Sequence, residues 1–195
     1  TEKGFAATNL IEIGQRAEVT KGGVYFHFRG KEELFFAVVD YWREAQRQLI
    51  QAPADGEPAT LRTFLVGYLE FHFQHPEASG LMRVLAAEMR DRFTTRVRED
   101  HQAALRAIRS RIRELLMQGT HDGSLFTTDP AMATFVLSAA VEGILDLVQG
   151  AGRDADPFRH PESLVDFLLA PYESTSERGT AQTSGRDGVD FLPPV

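Results

Sequence analysis

Residues 8–31, TNLIEIGQRAEVTKGGVYFHFRGK, constrain the fold more than any other stretch, because two helix starts lie so close together that both helices must be short and must cross at a tight turn. Thr8 offers a hydroxyl for the first N-cap, and Leu10, Ile13, Gly14 and Ala17 follow at helical spacing, so one face is apolar and turns inward. The chain reverses at Ala17-Glu18-Val19-Thr20. Glu18 stands at the turn, Val19 is the apolar residue available to plug the angle between the helices, and Thr20 is a second N-cap, so a new helix starts near Lys21. That helix is about two turns long, with Val24, Phe26 and Phe28 as its apolar residues. Lys21, Tyr25 and His27 are its groups able to reach phosphates or base edges.

Two adjacent glycines, Gly22 and Gly23, sit inside this second helix, each costing about 0.5–1 kcal/mol of helix propensity relative to Ala. Close approach of the backbone to a bulky partner such as a nucleic-acid duplex would account for them. Gly30-Lys31 ends the unit, and Lys31 opens the next helix, where its ammonium joins the N-terminal N–H groups in holding a phosphate. From Arg16 to Lys31 the basic residues Arg16, Lys21, Arg29 and Lys31 face one acid, Glu18.

These residues carry a resemblance. Gly4-Phe5-Ala6-Ala7-Thr8, Ile13, Val19-Thr20-Lys21-Gly22-Gly23-Val24-Tyr25-Phe26-His27-Phe28 and Lys31-Glu32-Glu33-Leu34 resemble, in order and spacing, the DNA-binding domain of the tetracycline-repressor (TetR/AcrR) family. The resemblance implies an all-helical homodimer in which an N-terminal helix-turn-helix domain binds a palindromic double-stranded DNA operator and a C-terminal helical domain holds a small effector that releases it. Carried over position by position, Thr20, Lys21, Gly22, Gly23, Tyr25 and His27 match the recognition helix, and Tyr25 and Lys31 match phosphate contacts. With Thr8 these are the expected DNA-binding residues. Glu18 departs from the glycine often found at the turn, and the family pattern places a first helix ahead of Gly4, beyond the start of this sequence.

The remainder reads as helices. Residues 31–52 carry Leu34, Phe35, Val38, Val39, Trp42, Ala45 and Leu49 at three- and four-residue spacing, a long lever from the DNA-reading unit into the body. The breaker Pro53-Ala54-Asp55-Gly56-Glu57-Pro58 divides residues 1–52 from an effector-binding and dimerisation domain, 53–172. Within it, residues 59–75 are so rich in apolar groups that more than one helix face is buried or lines a cavity. Pro76 starts another helix to about Phe93, and Thr94 or Thr95 caps a long one to about Gln118, ended by Gly119 and Asp122-Gly123. The six arginines between Arg96 and Arg113 alternate with inward leucines and isoleucines and read as a solvated face. Asp129 and Pro130 start the nearly all-apolar helix 131–149, which with helix 161–172 is expected to meet a second copy in a four-helix interface. Residues 173–195 read as a disordered tail.

Composition sets outer limits. With 43% hydrophobic and 25% charged residues the chain is ordinary for a globular protein. No uninterrupted apolar run approaches the roughly 20 residues that span a bilayer, and no export signal opens the sequence, so a cytoplasmic location without membrane contact is expected. The absence of cysteine removes disulfides, thiol catalysis and thiolate metal sites. A net charge of −7 would lower affinity for DNA, most at low salt, although only the local patch meets phosphate.

No glycine-rich phosphate loop, GxSxG or HExxH is present, and no cofactor is expected. His72 and His75, with His101 or Glu88, could converge on a metal, but their spacing matches no strong pattern. The family resemblance, taken together with side-chain type, implies instead an effector pocket walled by Phe64, Tyr68, Phe71, His72, Met82, Leu85, Met89, Phe93, His101, Leu105, Phe135 and Glu142, suited to a mostly apolar ligand. Glu142, on an apolar helix, needs an arginine, the dimer edge or a polar group of the effector. A ligand-responsive regulator is the leading reading. A ligand-binding dimer without DNA-binding activity in this shortened form and a helical metal-dependent enzyme are the alternatives.

Overall fold

A computed structural model of the chain describes residues 7–51, 59–78, 94–151 and 160–174. They form the helices α1 (Leu10–Arg16), α2 (Lys21–His27), α3 (Lys31–Gln51), α4 (Leu61–Gln74), α5 (Thr94–Asp122), α6 (Pro130–Ala151) and α7 (Pro161–Leu169). The all-helical class expected from the sequence is the class found. Among the described residues there is no named strand, only an isolated antiparallel bridge between Leu125 and Glu173.

The cap of α1 differs from expectation. Asn9, not Thr8, is the N-cap, its side-chain oxygen accepting the Ile11 N–H at 2.9 Å. Both residue types cap well, and the one immediately before the first helical residue wins. Thr20 caps α2 as expected, accepting the Gly23 N–H at 3.2 Å. Ala17 is exposed at the end of α1 rather than on its inward face, and Glu18 takes the left-handed conformation, φ 57°, that reverses the chain.

The lever α3 turns Phe35 and Val39 inward, followed along the same stripe by the half-buried Trp42, Gln46 and Leu49. A capping box starts α4, with Thr60 and Thr63 exchanging side-chain-to-backbone hydrogen bonds at 3.1 and 3.0 Å. The core of the body joins four helices: Leu61, Phe64, Leu65, Tyr68 and Leu69 from α4, Ile108, Ile112, Leu115 and Leu116 from α5, Ala133, Leu137 and Val141 from α6, and Val165 and Leu169 from α7. Each leucine buried this fully contributes about 1.5–3 kcal/mol of transfer free energy. An Arg62 Nε to Asp166 Oδ1 bond of 2.8 Å adds a surface tie between α4 and α7.

Helix α5 runs past Gly119, where an end was expected. Gly119 is buried inside the helix because Leu125 folds back onto it: a Cβ there would lie 2.7 Å from the leucine side chain, and the Leu125 N–H donates to the Gly119 carbonyl at 2.9 Å. The reversal comes at Gly123, φ 83°. Arg106, Arg109 and Arg113 are exposed as expected, whereas Arg111 is partly buried with its Nη1 2.9 Å from Glu114. Helix α6 begins as read, Asp129 Oδ1 accepting the Ala131 and Met132 N–H groups at 3.1 and 3.0 Å.

By length and composition Pro130–Val148 is apolar enough to cross a membrane, contrary to expectation. Thr134 and Ser138 interrupt the run in sequence but return their hydroxyls to the Pro130 and Thr134 carbonyls, both at 2.7 Å, and so add little polarity. One such helix, seated here against a helical body, is weak support for a span. Helix α7 ends at Leu169, short of residue 172, and a turn follows. Glu173 and Ser174, placed in the tail by the sequence reading, are tied to the loop before α6: Glu173 pairs with Leu125 in the bridge, the Phe126 N–H donates to the Tyr172 carbonyl at 2.6 Å and the Ser174 N–H to the Ser124 carbonyl at 3.4 Å. The expected tail beyond them, the boundary loop 53–58 and the helix expected after Pro76, apart from residues 76–78, lie outside the described residues.

Candidate nucleic-acid interface and interior site

Helices α1 and α2 cross where α1 has no side chain. A Cβ on Gly14 would lie 2.6 Å from Val24 Cγ2 and 3.1 Å from the Val19 carbonyl oxygen, so the buried Val24, rather than the half-exposed Val19, plugs the angle. The two glycines of α2 serve different ends. At Gly23 a Cβ would come within 2.9 Å of Val19 Cγ1 and 3.3 Å of Thr20 Oγ1, so the protein's own packing accounts for it. At Gly22 a Cβ would meet nothing within 4 Å. Lys21, Tyr25 and His27 are exposed, and Thr8 and Lys31 are half-buried. The Glu33 carboxylate accepts the Arg29 N–H at 2.6 Å and so fixes the loop that delivers Lys31 to the start of α3. Phe26, counted with the apolar residues of α2 in the sequence reading, is 84% exposed.

The lever meets the body at a small polar cluster roofed by rings. Gln46 of α3 donates from Nε2 to Tyr68 Oη at 3.0 Å, and the same nitrogen lies 3.5 Å from His72 Nε2. Tyr68 and His72 are edge to face at 4.7 Å, with Phe64 beside the tyrosine at 6.0 Å. One turn up the lever, Trp42 sits 5.0 Å from the His75 ring and 6.1 Å from Phe71.

Burial, and then the neighbouring His75, pushes the His72 imidazole down to about 4, so at neutral pH the ring is uncharged and its Nε2 is able to accept from Gln46. Burial also raises the Tyr68 phenol above its usual range, opposed by the Gln46 hydrogen bond and reinforced by the charge of Glu142. The site therefore presents neutral hydrogen-bonding groups in an aromatic wall.

Of the expected pocket residues, Phe64, Tyr68, Phe71 and His72 lie together on α4, and Leu105 is half-buried on α5. Glu142 is exposed in the single chain, yet near enough for its charge to act on Tyr68. Phe135 is not brought to this group. It stands 58% exposed on the outer side of α6, where Ala133, Leu137 and Val141 take the inward face, and a helix apolar all round gives no inward phase to read from sequence. Met82, Leu85, Met89 and Phe93 lie outside the described residues, as does the His101 side chain. Gln46 and Phe26 are the residues missed by sequence reasoning. Gln46 has one signal, a polar residue on the stripe Phe35, Val39, Trp42, Leu49.

Among the described residues no three His, Asp or Glu side chains are grouped to hold a metal. His75 Nδ1 lies 3.4 Å from Glu77, and the His72 Nε2 faces Gln46. Met132, Phe135, Val136 and Leu147 of α6, with Phe167 of α7, stand exposed on the outer side of the body.

Two short helices crossed at a glycine, carried on a long helix whose Gln46 reaches a polar cluster of a helical body, define a helix-turn-helix protein with a separate helical body. The chain belongs to the tetR family of bacterial regulatory proteins. Residues 1–38 match that family's N-terminal model, and residues 55–146 match the tetracyclin repressor-like C-terminal domain. Its members are DNA-binding transcriptional regulators. The chain is similar to the probable acrEF/envCD operon repressor of Escherichia coli K12, 26% identical over 181 residues that span 86% of this chain and 79% of the relative. Its fold is that of SmeT in the SmeT–triclosan complex, with a TM-score of 0.63 at 24% identity, covering 99% of this chain and 92% of the other. It is also that of AibR in complex with isovaleryl coenzyme A and operator DNA, with a TM-score of 0.55 at 22% identity over 86% and 90% of the two chains.

Proposed function

We propose that the protein is a cytoplasmic repressor that holds a palindromic operator as a homodimer and lets go when a mostly apolar small molecule enters the body beside Tyr68 and His72. It acts by binding, not by catalysis. Lys21, Tyr25, His27 and Lys31 serve the DNA, together with Thr8, Thr20, Gly22 and Gly23, and the dimer forms through residues 131–149 and 161–172. Phe135, Leu147 and Phe167, exposed in the single chain, support that face.

The observation that carries the effector reading is Gln46. It sits on the helix that bears the DNA-reading unit, yet its amide nitrogen bonds to a tyrosine and faces a histidine inside the sensing body. A ligand whose polar group takes Tyr68 Oη or His72 Nε2 displaces that amide and frees the lever. One hydrogen bond is worth about 0.5–1.5 kcal/mol net, close to the lower end of the roughly 1–3 kcal/mol by which two sites usually couple. Neutral groups in an aromatic wall favour an uncharged ligand.

The test uses the full chain and a palindromic duplex that it enriches from a random library, with triclosan as the first probe and the multiply charged isovaleryl coenzyme A as the contrast that should release less. Binding is read by anisotropy and occupancy of the body by the fluorescence of Trp42, the single tryptophan. A probe that changes Trp42 emission should release the duplex, and Gln46→Ala should keep the emission change while losing about fivefold or more of the release. No enrichment of any duplex at low salt would refute the DNA-binding part. Release undiminished in Gln46→Ala would refute the coupling.

A further inference from the structure

From the geometry of α2 we infer that Phe26, with the bare backbone at Gly22, is a base-reading surface that takes the 5-methyl group of thymine. The inference rests on the DNA-binding reading above and deepens it. Successive residues of a helix are turned by about 100°, so Phe26 and Gly22, two places either side of the buried Val24, both fall on the opposite, outward face. They stand one turn apart on the same line. Phe26 is 84% exposed, with His27 edge to face at 5.1 Å beside it. At Gly22 a Cβ would meet nothing within 4 Å, so the fold itself makes no demand for glycine there, unlike at Gly14 and Gly23. The outward pole of the helix is thus a phenyl ring next to uncovered backbone, with the polar groups of Lys21, Tyr25 and His27 around it.

The chemistry of the pole selects its partner. In the major groove guanine, cytosine and adenine present hydrogen-bonding atoms, and thymine alone adds a methyl group. A phenyl ring pressed on a polar base edge strips water from it without offering a bond, which is unfavourable. Against a methyl it gains contact at no such cost. With no side chain at Gly22, the backbone approaches the groove floor closely enough for the ring one turn later to touch that methyl.

The experiment compares the full chain on the duplex that it enriches from a random library and on the same duplex with single thymidines replaced by deoxyuridine, which removes the methyl and leaves base pairing intact. Wild type should lose about fourfold in affinity per contacted methyl, at symmetric positions in the two half-sites. Phe26→Ala should bind the thymidine and deoxyuridine duplexes equally, and Phe26→Leu should restore part of the preference. Gly22→Ala should weaken binding to both duplexes while raising the thermal midpoint of the free protein.

Three results would overturn the inference while leaving DNA binding intact. These are wild-type affinities within twofold at every replaced thymidine, a Phe26→Ala variant with the wild-type ratio, and a fall in the thermal midpoint of the free Phe26→Ala protein, which would make the ring part of the fold. Failure to enrich any duplex strikes the DNA-binding reading itself and takes this inference with it.

Discussion

Lowering the pH from 7 toward 4 should unfold the helical body earlier than ordinary carboxylate titration would, through His72. This imidazole is only 9% exposed and holds its proton only below about pH 4 when folded, against 6.5 when free. Between those values the unfolded chain carries a proton that the native protein excludes, so stability rises with pH across the window and is lost as pH falls through it. Above pH 6.5 the ring is neutral in both states and the effect is flat.

The gap, at about 1.4 kcal/mol per pH unit, is worth on the order of 3 kcal/mol, a sizeable part of the roughly 5–15 kcal/mol that holds most domains together. Tyr68, its phenol raised by burial, stays neutral throughout and contributes nothing to the slope. Urea midpoints at half-unit steps from pH 7.5 to 4 would measure the effect in the wild type and in His72→Gln, which keeps a polar group opposite Gln46 but cannot take a proton. The wild type should lose on the order of 3 kcal/mol more than the variant, most of it between pH 6.5 and 4. Parallel curves for the two proteins would refute the reasoning, because the carboxylates common to both would then account for all of the acid sensitivity.

Other substitutions probe the reading unit and the outer face. Gly14→Ala should destabilise the protein by about 1–2 kcal/mol in a urea melt, since the new methyl would sit 2.6 Å from Val24 Cγ2 and helix propensity returns at most about 1 kcal/mol. Glu18→Gly should do the opposite, raising stability by up to about 1 kcal/mol, because a side chain at φ 57° carries a left-handed penalty that glycine escapes. Leu147→Glu, at a position 73% exposed in the single chain, should leave helicity unchanged and shift sedimentation from dimer to monomer. An unshifted dimer would move the interface off that face of α6.

Local chemistry was legible in the sequence where one residue type answers one need. Asp129-Pro130 at the start of α6 and Thr20 at the start of α2 are such cases, because a short oxygen-bearing side chain ahead of unsatisfied N–H groups has few other uses. What depends on the far side of a contact was not legible. Gly14, Gly22 and Gly23 look alike in sequence, yet one admits Val24, one faces open space and one admits Val19. Gly119 reads as a helix end until Leu125 is seen lying on it. In α2 the chain is too short for periodicity to separate Phe26 from Val24, and in α6 the apolar residues run all round, so nothing in the pattern turns Phe135 outward. Gln46 belongs to an apolar stripe by spacing, and only the partners Tyr68 and His72, more than twenty residues on, explain an amide there.

The ion pair between Arg62 and Asp166 joins groups 104 residues apart, and α4 packs its leucines on α7 beside it. During synthesis at about 5–20 residues per second, α4 must wait several seconds for that cover, whereas α1 and α2 find each other at once. The α1–α2 pair is thus assembled on the ribosome well before the body to which α3 leads. On the homodimeric reading proposed above, a nascent chain carries one head only, too little to hold an operator, so binding begins when α7 closes on α4.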